Sequence, residues 1–210
     1  MTARHSIRFA VSGLVALSIC GAVIAASPAS DARLPVKLSS GRVSLAGTSN
    51  VHDYTASTTD VRIVHLELAD GVSGPNFWDE IVKAGAIESF EVAIAARSLS
   101  SPREGLDKNM YKALKVTEFP DIIFRLIRFD GGADPGALRA RGMLKIAGVE
   151  REVALDLKTS RHDVNFTVNG TLTLLMTDYG IAPPKAMLGM LKTDPKVTVT
   201  FETVLTIPTT

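Results

Sequence analysis

The side chains most able to do chemistry fall in a few short polar clusters. His52-Asp53-Tyr54 is the richest. In an extended segment His52 and Tyr54 share one face while Asp53 takes the other, so the two could meet a ligand head group together or close a strand-end hydrogen-bond network. His162-Asp163 offers a second His-Asp step. Neither pair has a further ligand at helical spacing, and strand alternation separates each His from its Asp, which argues against a metal site. His52, His65 and His162 would hold zinc or haem only if the fold gathered them. Serines are plentiful, but no Gly-x-Ser-x-Gly elbow or activating base accompanies them. Asp178 in Thr-Asp-Tyr-Gly-Ile has the short carboxylate that bonds turn amides. Trp78, the single tryptophan, reads as an anchor for its loop. The residues therefore nominate no catalytic group and no metal ligand.

The chain of 210 residues, 46% apolar and 21% charged, has the bulk of one globular domain with a real core. Its first residues stand apart. Arg4 and Arg8 precede an apolar run through Ala25 and small residues follow, the pattern of a secretory signal over residues 1–25, cleaved between 25 and 30. The run is also long enough for an uncleaved membrane anchor. Cys20 follows Ile19, which is not the small residue a lipobox needs. A mature chain would then keep no cysteine and no membrane span, in a periplasmic or secreted location that permits disulfides it cannot form. Cleavage would also remove two cations, moving the formal charge from +1 to −1. The remaining Lys and Arg are scattered, so no nucleic-acid footprint is expected.

Residues 31–210 read as one domain dominated by strands. Val197, Val199, Phe201, Thr203, Leu205 and Ile207 alternate with polar residues, as a half-buried antiparallel strand does. Leu138, Ala140, Leu144 and Ile146, then Val153, Leu155 and Leu157, form two more, with Gly148 at the hairpin between them. Val164, Phe166, Val168, Leu172 and Leu174 hold one phase through Asn169-Gly170, predicting one long strand with Gly170 at a bend or bulge. Two helices interrupt this pattern. Ser101-Pro102-Arg103-Glu104 has capping-box spacing at the head of a helix over 101–115 that presents Leu106, Met110, Ala113 and Leu114. Pro184 opens a second, with Met187, Leu188 and Leu191 on one face. A third turn is expected in Phe-Trp-Asp-Glu-Ile-Val-Lys-Ala-Gly.

Eight or nine strands with one apolar face each can remove their edges by closing, so the expected fold is all-β, an antiparallel eight-stranded barrel under two or three short helices. A barrel of that size is filled by its own side chains or keeps room for one small ligand. Phe90, Val92, Ile94, Phe124, Leu126, Phe166, Leu172 and Phe201 are the candidate inward residues. They serve equally as plain core or as the wall of a lipid site. Met110, Leu114, Met187, Leu188, Met190 and Leu191 could close the barrel ends or simply pack helix on sheet.

Four stretches in order, Leu-Asp-Lys-Asn-Met through Phe-Pro at 106–120, Gly-Thr-Ser-Asn-Val-His-Asp-Tyr at 47–54, Gly-Val-Glu-Arg-Glu-Val-Ala-Leu-Asp-Leu at 148–157, and Thr-Asp-Tyr-Gly-Ile-Ala-Pro-Pro at 177–184, resemble the YceI-like family over roughly residues 38–207. The resemblance implies a lipocalin-like barrel with an elongated apolar cavity, holding a polyisoprenoid-type lipid such as a quinone, without catalysis or an obligatory cofactor. Phe-Trp-Asp-Glu-Ile-Val-Lys-Ala-Gly-Ala-Ile-Glu-Ser departs from the common spacing and marks a mouth of its own. The partner this implies is a hydrophobic lipid; a second copy in a homodimer stays open apart from the resemblance. The alternative is an envelope protein whose barrel is filled and which works through surface contacts with another protein.

Overall fold

The computed structural model describes residues 35–131, 136–186 and 191–208. The expected signal segment, residues 1–25 with Cys20, lies outside the described residues, as do Met187, Leu188 and Met190. Ten antiparallel strands carry the fold: β1 (Lys37–Ser49), β2 (Tyr54–Thr58), β3 (Val61–Leu68), β4 (Ile87–Ala95), β5 (Asp121–Gly131), β6 (Ala137–Ile146), β7 (Val149–His162), β8 (Asn165–Leu175), β9 (Lys185–Ala186) and β10 (Leu191–Thr206). Nine of them follow one another in a single sheet, in the order β2-β1-β10-β8-β7-β6-β5-β4-β3, and β9 pairs only with β10. The expected antiparallel, barrel-like all-β fold is present, with more strands than the expected eight. Residues 37–58 supply two strands, and two residues beyond Pro184 supply a short extra one.

The sheet curls on itself. Its end strand β3 comes alongside β1, close enough that a Cβ added to Gly41 would lie 3.3 Å from the Val61 side chain. Register shifts at Leu38/Ser40, Ile63/His65 and Leu126/Arg128 supply the local bends. A bulge puts an extra residue in one strand and increases its twist. Ser39, Val64 and Ile127 are those extra residues, and Val64 and Ile127 are half exposed. After each bulge the inward phase is reset, so Leu66 follows Ile63 and Phe129 follows Leu126 into the interior.

Two helices close opposite ends. α1 (Phe77–Ile81) lies between β3 and β4 and buries Phe77, Trp78 and Ile81 against Val36, Leu66 and Phe166. It realises the third, least marked helical turn. α2 (Glu104–Ala113) lies at the other end, where the Ala147-Gly148 turn joins β6 to β7. Both turn residues have positive φ, as a two-residue primed hairpin turn requires. Phe119 packs on Gly148 so closely that any Cβ there would meet its ring. Ala113 and Leu114 pack beside Leu144, Ile146 and Tyr179.

Several local expectations are corrected. α2 begins at Glu104 rather than at Ser101, and no side chain caps it. The Ser101 hydroxyl accepts from the Arg103 amide at 3.1 Å, and the Asp107 carboxylate accepts from the Ser101 amide at 2.8 Å. The residues of the expected box thus fold a turn ahead of the helix. The helix expected from Pro184 is interrupted at both described ends, since Lys185–Ala186 and Leu191–Lys192 pair as strands. β8 runs straight through Asn169-Gly170 with continuous register to both neighbours. Gly170 is therefore neither bend nor bulge. It is needed because a Cβ there would enter the Phe201 ring across the ladder.

Candidate functional site

Alternation along the strands sends one set of side chains outward and the other into the curl. The outward set on β4 to β7 forms charge pairs: Arg125 bonds Glu91 at 2.6 Å and Glu150 at 2.9 Å, Asp130 lies between Arg128 and Arg141, and Arg139 bonds Asp156 at 2.7 Å. These guanidinium hydrogen bonds hold Asp130 and Asp156 below the ordinary carboxylate pKa. The inward set encloses a cavity of about 270 Å3. The interior is open rather than filled.

All eight inward candidates nominated by sequence line this cavity: Phe90, Val92 and Ile94 from β4, Phe124 and Leu126 from β5, Phe166 and Leu172 from β8, and Phe201 from β10. Two glycines let aromatic rings lie close to the wall. Gly170 leaves space for Phe201, and Gly142 for Phe124, whose ring a Cβ on that residue would meet. Among the described residues no charged side chain lines the cavity, and the only side-chain polar groups there belong to Thr159, Thr203 and Trp78. Both hydroxyls are used, Thr203 donating to the Val168 carbonyl and Thr159 to the Gly136 carbonyl, each at 3.0 Å. A site of this make-up holds an uncharged chain by contact area, not by ionic recognition.

Other nominated residues lie elsewhere. His52 is exposed in the link between β1 and β2, its Nε2 2.6 Å from an Arg103 guanidinium nitrogen. Tyr54 starts β2 and covers Gly47, where no Cβ would fit. Burial, with Asp194 adding to it, pushes its phenol pKa up. Neither residue lines the cavity. Met110 and Leu114 are also absent from the wall; the helix that contributes to it is α1, through Trp78 and Ile81 with Val82 at its end. Asp178 lies in a 3-10 turn, Met176–Tyr179, where its carbonyl accepts from Arg151 Nε at 3.0 Å. Among the described residues no group of three or more His, Cys, Asp or Glu is placed to hold a metal ion, and no helix is long and apolar enough to cross a membrane.

Sequence reasoning missed Phe129 because the bulge at Ile127 displaces it from simple alternation. It missed the wall residues of α1 because five residues of helix are too few to show a periodic face. The departure from common spacing in that loop was the one available signal.

The family model described as the YceI-like domain matches residues 40–205. Solved structures with the same fold include BcnA of Burkholderia cenocepacia, at 11% identity and TM-score 0.62 over 78% of this chain and 95% of that one. A polyisoprenoid binding domain from Saccharophagus degradans, implicated in plant cell wall breakdown, has 13% identity and TM-score 0.60 over 84% of this chain and all of its own. The YCEI protein of Campylobacter jejuni is similar at 14% identity, TM-score 0.52, over 75% and 82%. No curated protein matches the chain.

Proposed function

Because the chain belongs to the YceI-like family, we propose that it sequesters or carries a neutral, polyisoprenoid-type lipid such as an isoprenoid quinone, without transforming it. The observation that carries this reading is the open interior walled by apolar side chains, with no charge among the described lining residues. The polyisoprenoid named for the Saccharophagus degradans domain supports the chemical class. Burial is worth about 0.8 kcal/mol per CH2, hence about 4 kcal/mol gross for a five-carbon isoprene unit. Three seated units would supply about 12 kcal/mol, and an association cost of about 4 kcal/mol or more leaves at best micromolar affinity. A longer tail would need more of the barrel or an open end.

The N-terminal leader and the family favour a periplasmic or secreted protein, where a carrier would shield such a tail from water. N-terminal sequencing of protein from fractionated cells tests the location. Solvent extraction of the purified protein followed by mass spectrometry tests the function. A recurrent near-stoichiometric neutral isoprenoid is the expected result. Extracts free of lipid, together with failure to take up an added polyprenyl chain, would end the proposal.

A further inference from the structure

Among the described residues one buried side-chain polar atom has no hydrogen-bond partner: Nε1 of Trp78, a residue whose ring belongs to the cavity wall. The residue is 2% exposed, yet its ring forms part of the wall. Phe166 stacks on one face of the indole at 4.9 Å and 7°, and Phe77 meets it edge to face at 5.0 Å. Because the N–H lies in the ring plane, the stacked Phe166 cannot accept it. A buried donor left unpaired is costly, and native structures seldom keep one without a reason. The two wall hydroxyls contrast with it, since each already donates to a carbonyl.

Resting on the lipid reading above, we infer that Trp78 is a specificity-determining residue, donating its indole N–H to an uncharged oxygen of the cargo, an ester, ether or quinone carbonyl, at the α1 end of the cavity. The chemistry of the wall narrows the class. A carboxylate or phosphate would be buried with no cation among the described lining residues, whereas a neutral oxygen needs only the one donor. A pure hydrocarbon would leave the N–H unpaired. The oxygen therefore seats beside Trp78 and Phe166, not beside His52 and Tyr54, which lie at the α2 end. Nε1 itself is sealed from the cavity in this structure, so bringing the donor onto the oxygen takes a small shift of α1 against the Arg161 bonds to Asp79 and Pro75. Gly74 and Gly85, both at positive φ with open space around them, flank the helix where that shift would be taken up.

The test uses the full chain and two probes of one carbon skeleton, farnesyl acetate and farnesene, each measured by displacement of N-phenyl-1-naphthylamine. Trp78→Phe keeps an aromatic ring and removes the donor. It should weaken farnesyl acetate about 5- to 10-fold while changing farnesene less than about 2-fold. Equal losses for both would reduce Trp78 to packing and overturn the inference. Capture of neither probe by the wild type would overturn this inference and the lipid reading together, whereas equal losses leave the lipid reading standing. Should the variant fail to fold, the wild type still decides. With one tryptophan in the chain there is one indole N–H resonance. Farnesyl acetate should move it downfield and slow its hydrogen exchange, and farnesene should do neither; the same response to both would refute the assignment.

Discussion

Val199→Phe separates an open barrel from a packed one by the sign of its effect. Val199 lies mid-strand on β10, paired with Leu45 on one side and Leu172 on the other, and all three line the cavity. The variant adds four carbons directed into empty space. At about 0.8 kcal/mol per buried carbon the gross gain is about 3 kcal/mol. Lost rotamer freedom and incomplete burial reduce this to a net gain of about 1–2 kcal/mol. In a domain of this size each kcal/mol moves the melting temperature by about 2–4 °C, so a rise of about 2–8 °C is expected. In a close-packed interior the same insertion would cost about 1–3 kcal/mol and lower the melting temperature. The phenyl ring would also occupy space used by about four carbons of a bound chain, weakening capture by about 3 kcal/mol, on the order of 100-fold. Calorimetry of the lipid-free protein and fluorescence displacement read the two effects. A lower melting temperature with unchanged capture would refute the reasoning, because it would place Val199 in a packed core away from the ligand.

Gly170→Ala should destabilise the chain by about 1–3 kcal/mol, since its Cβ enters the Phe201 ring; chemical denaturation should show part of the loss recovered in the double variant with Phe201→Leu. Arg161 bonds Asp79 at 3.2 Å and the Pro75 carbonyl at 3.3 Å, tying β7 to the α1 segment. Arg161→Ala should therefore cost under about 1 kcal/mol overall, as exposed pairs do, while hydrogen exchange at Phe77–Ile81 accelerates; unchanged exchange there would show that the tie does not hold α1. Asp130 is held low chiefly by the Arg128 hydrogen bond and then by that of Arg141, and Asp156 by the Arg139 hydrogen bond. Folded values below the unfolded ones give stability that is present above the ordinary value of 3.8 and lost as pH falls through the folded pKa. Carboxyl 13C titration should place both groups below that value, with Arg139→Ala returning Asp156 toward it and leaving Asp130 low.

Much of the site could be read from the chain because a strand in a curled sheet has only two faces. Once Phe90, Val92 and Ile94, or Phe166 and Leu172, are seen to share a phase, they must point to the same side, and the polar residues between them identify that side as the interior. Gly148 marked the hairpin between β6 and β7 for a similar local reason, since the turn demands a residue that tolerates positive φ, whereas Ala147 at positive φ gave no such signal. Helix ends were less legible. Ser101 and Glu104 have the spacing of a cap, but Asp107 reaches back to the Ser101 amide and the turn forms first.

The sequence by itself determined the strand phases, the chemistry of the inner face and the family, since each depends on residue type and near spacing. Only the tertiary structure decided that the centre is empty, that the bulges at Val64 and Ile127 rotate Leu66 and Phe129 inward, and that α1 rather than α2 contributes to the wall. These outcomes depend on curvature and on which distant elements meet. Volume left between side chains is a difference among many packed surfaces, and no single segment of the chain encodes it.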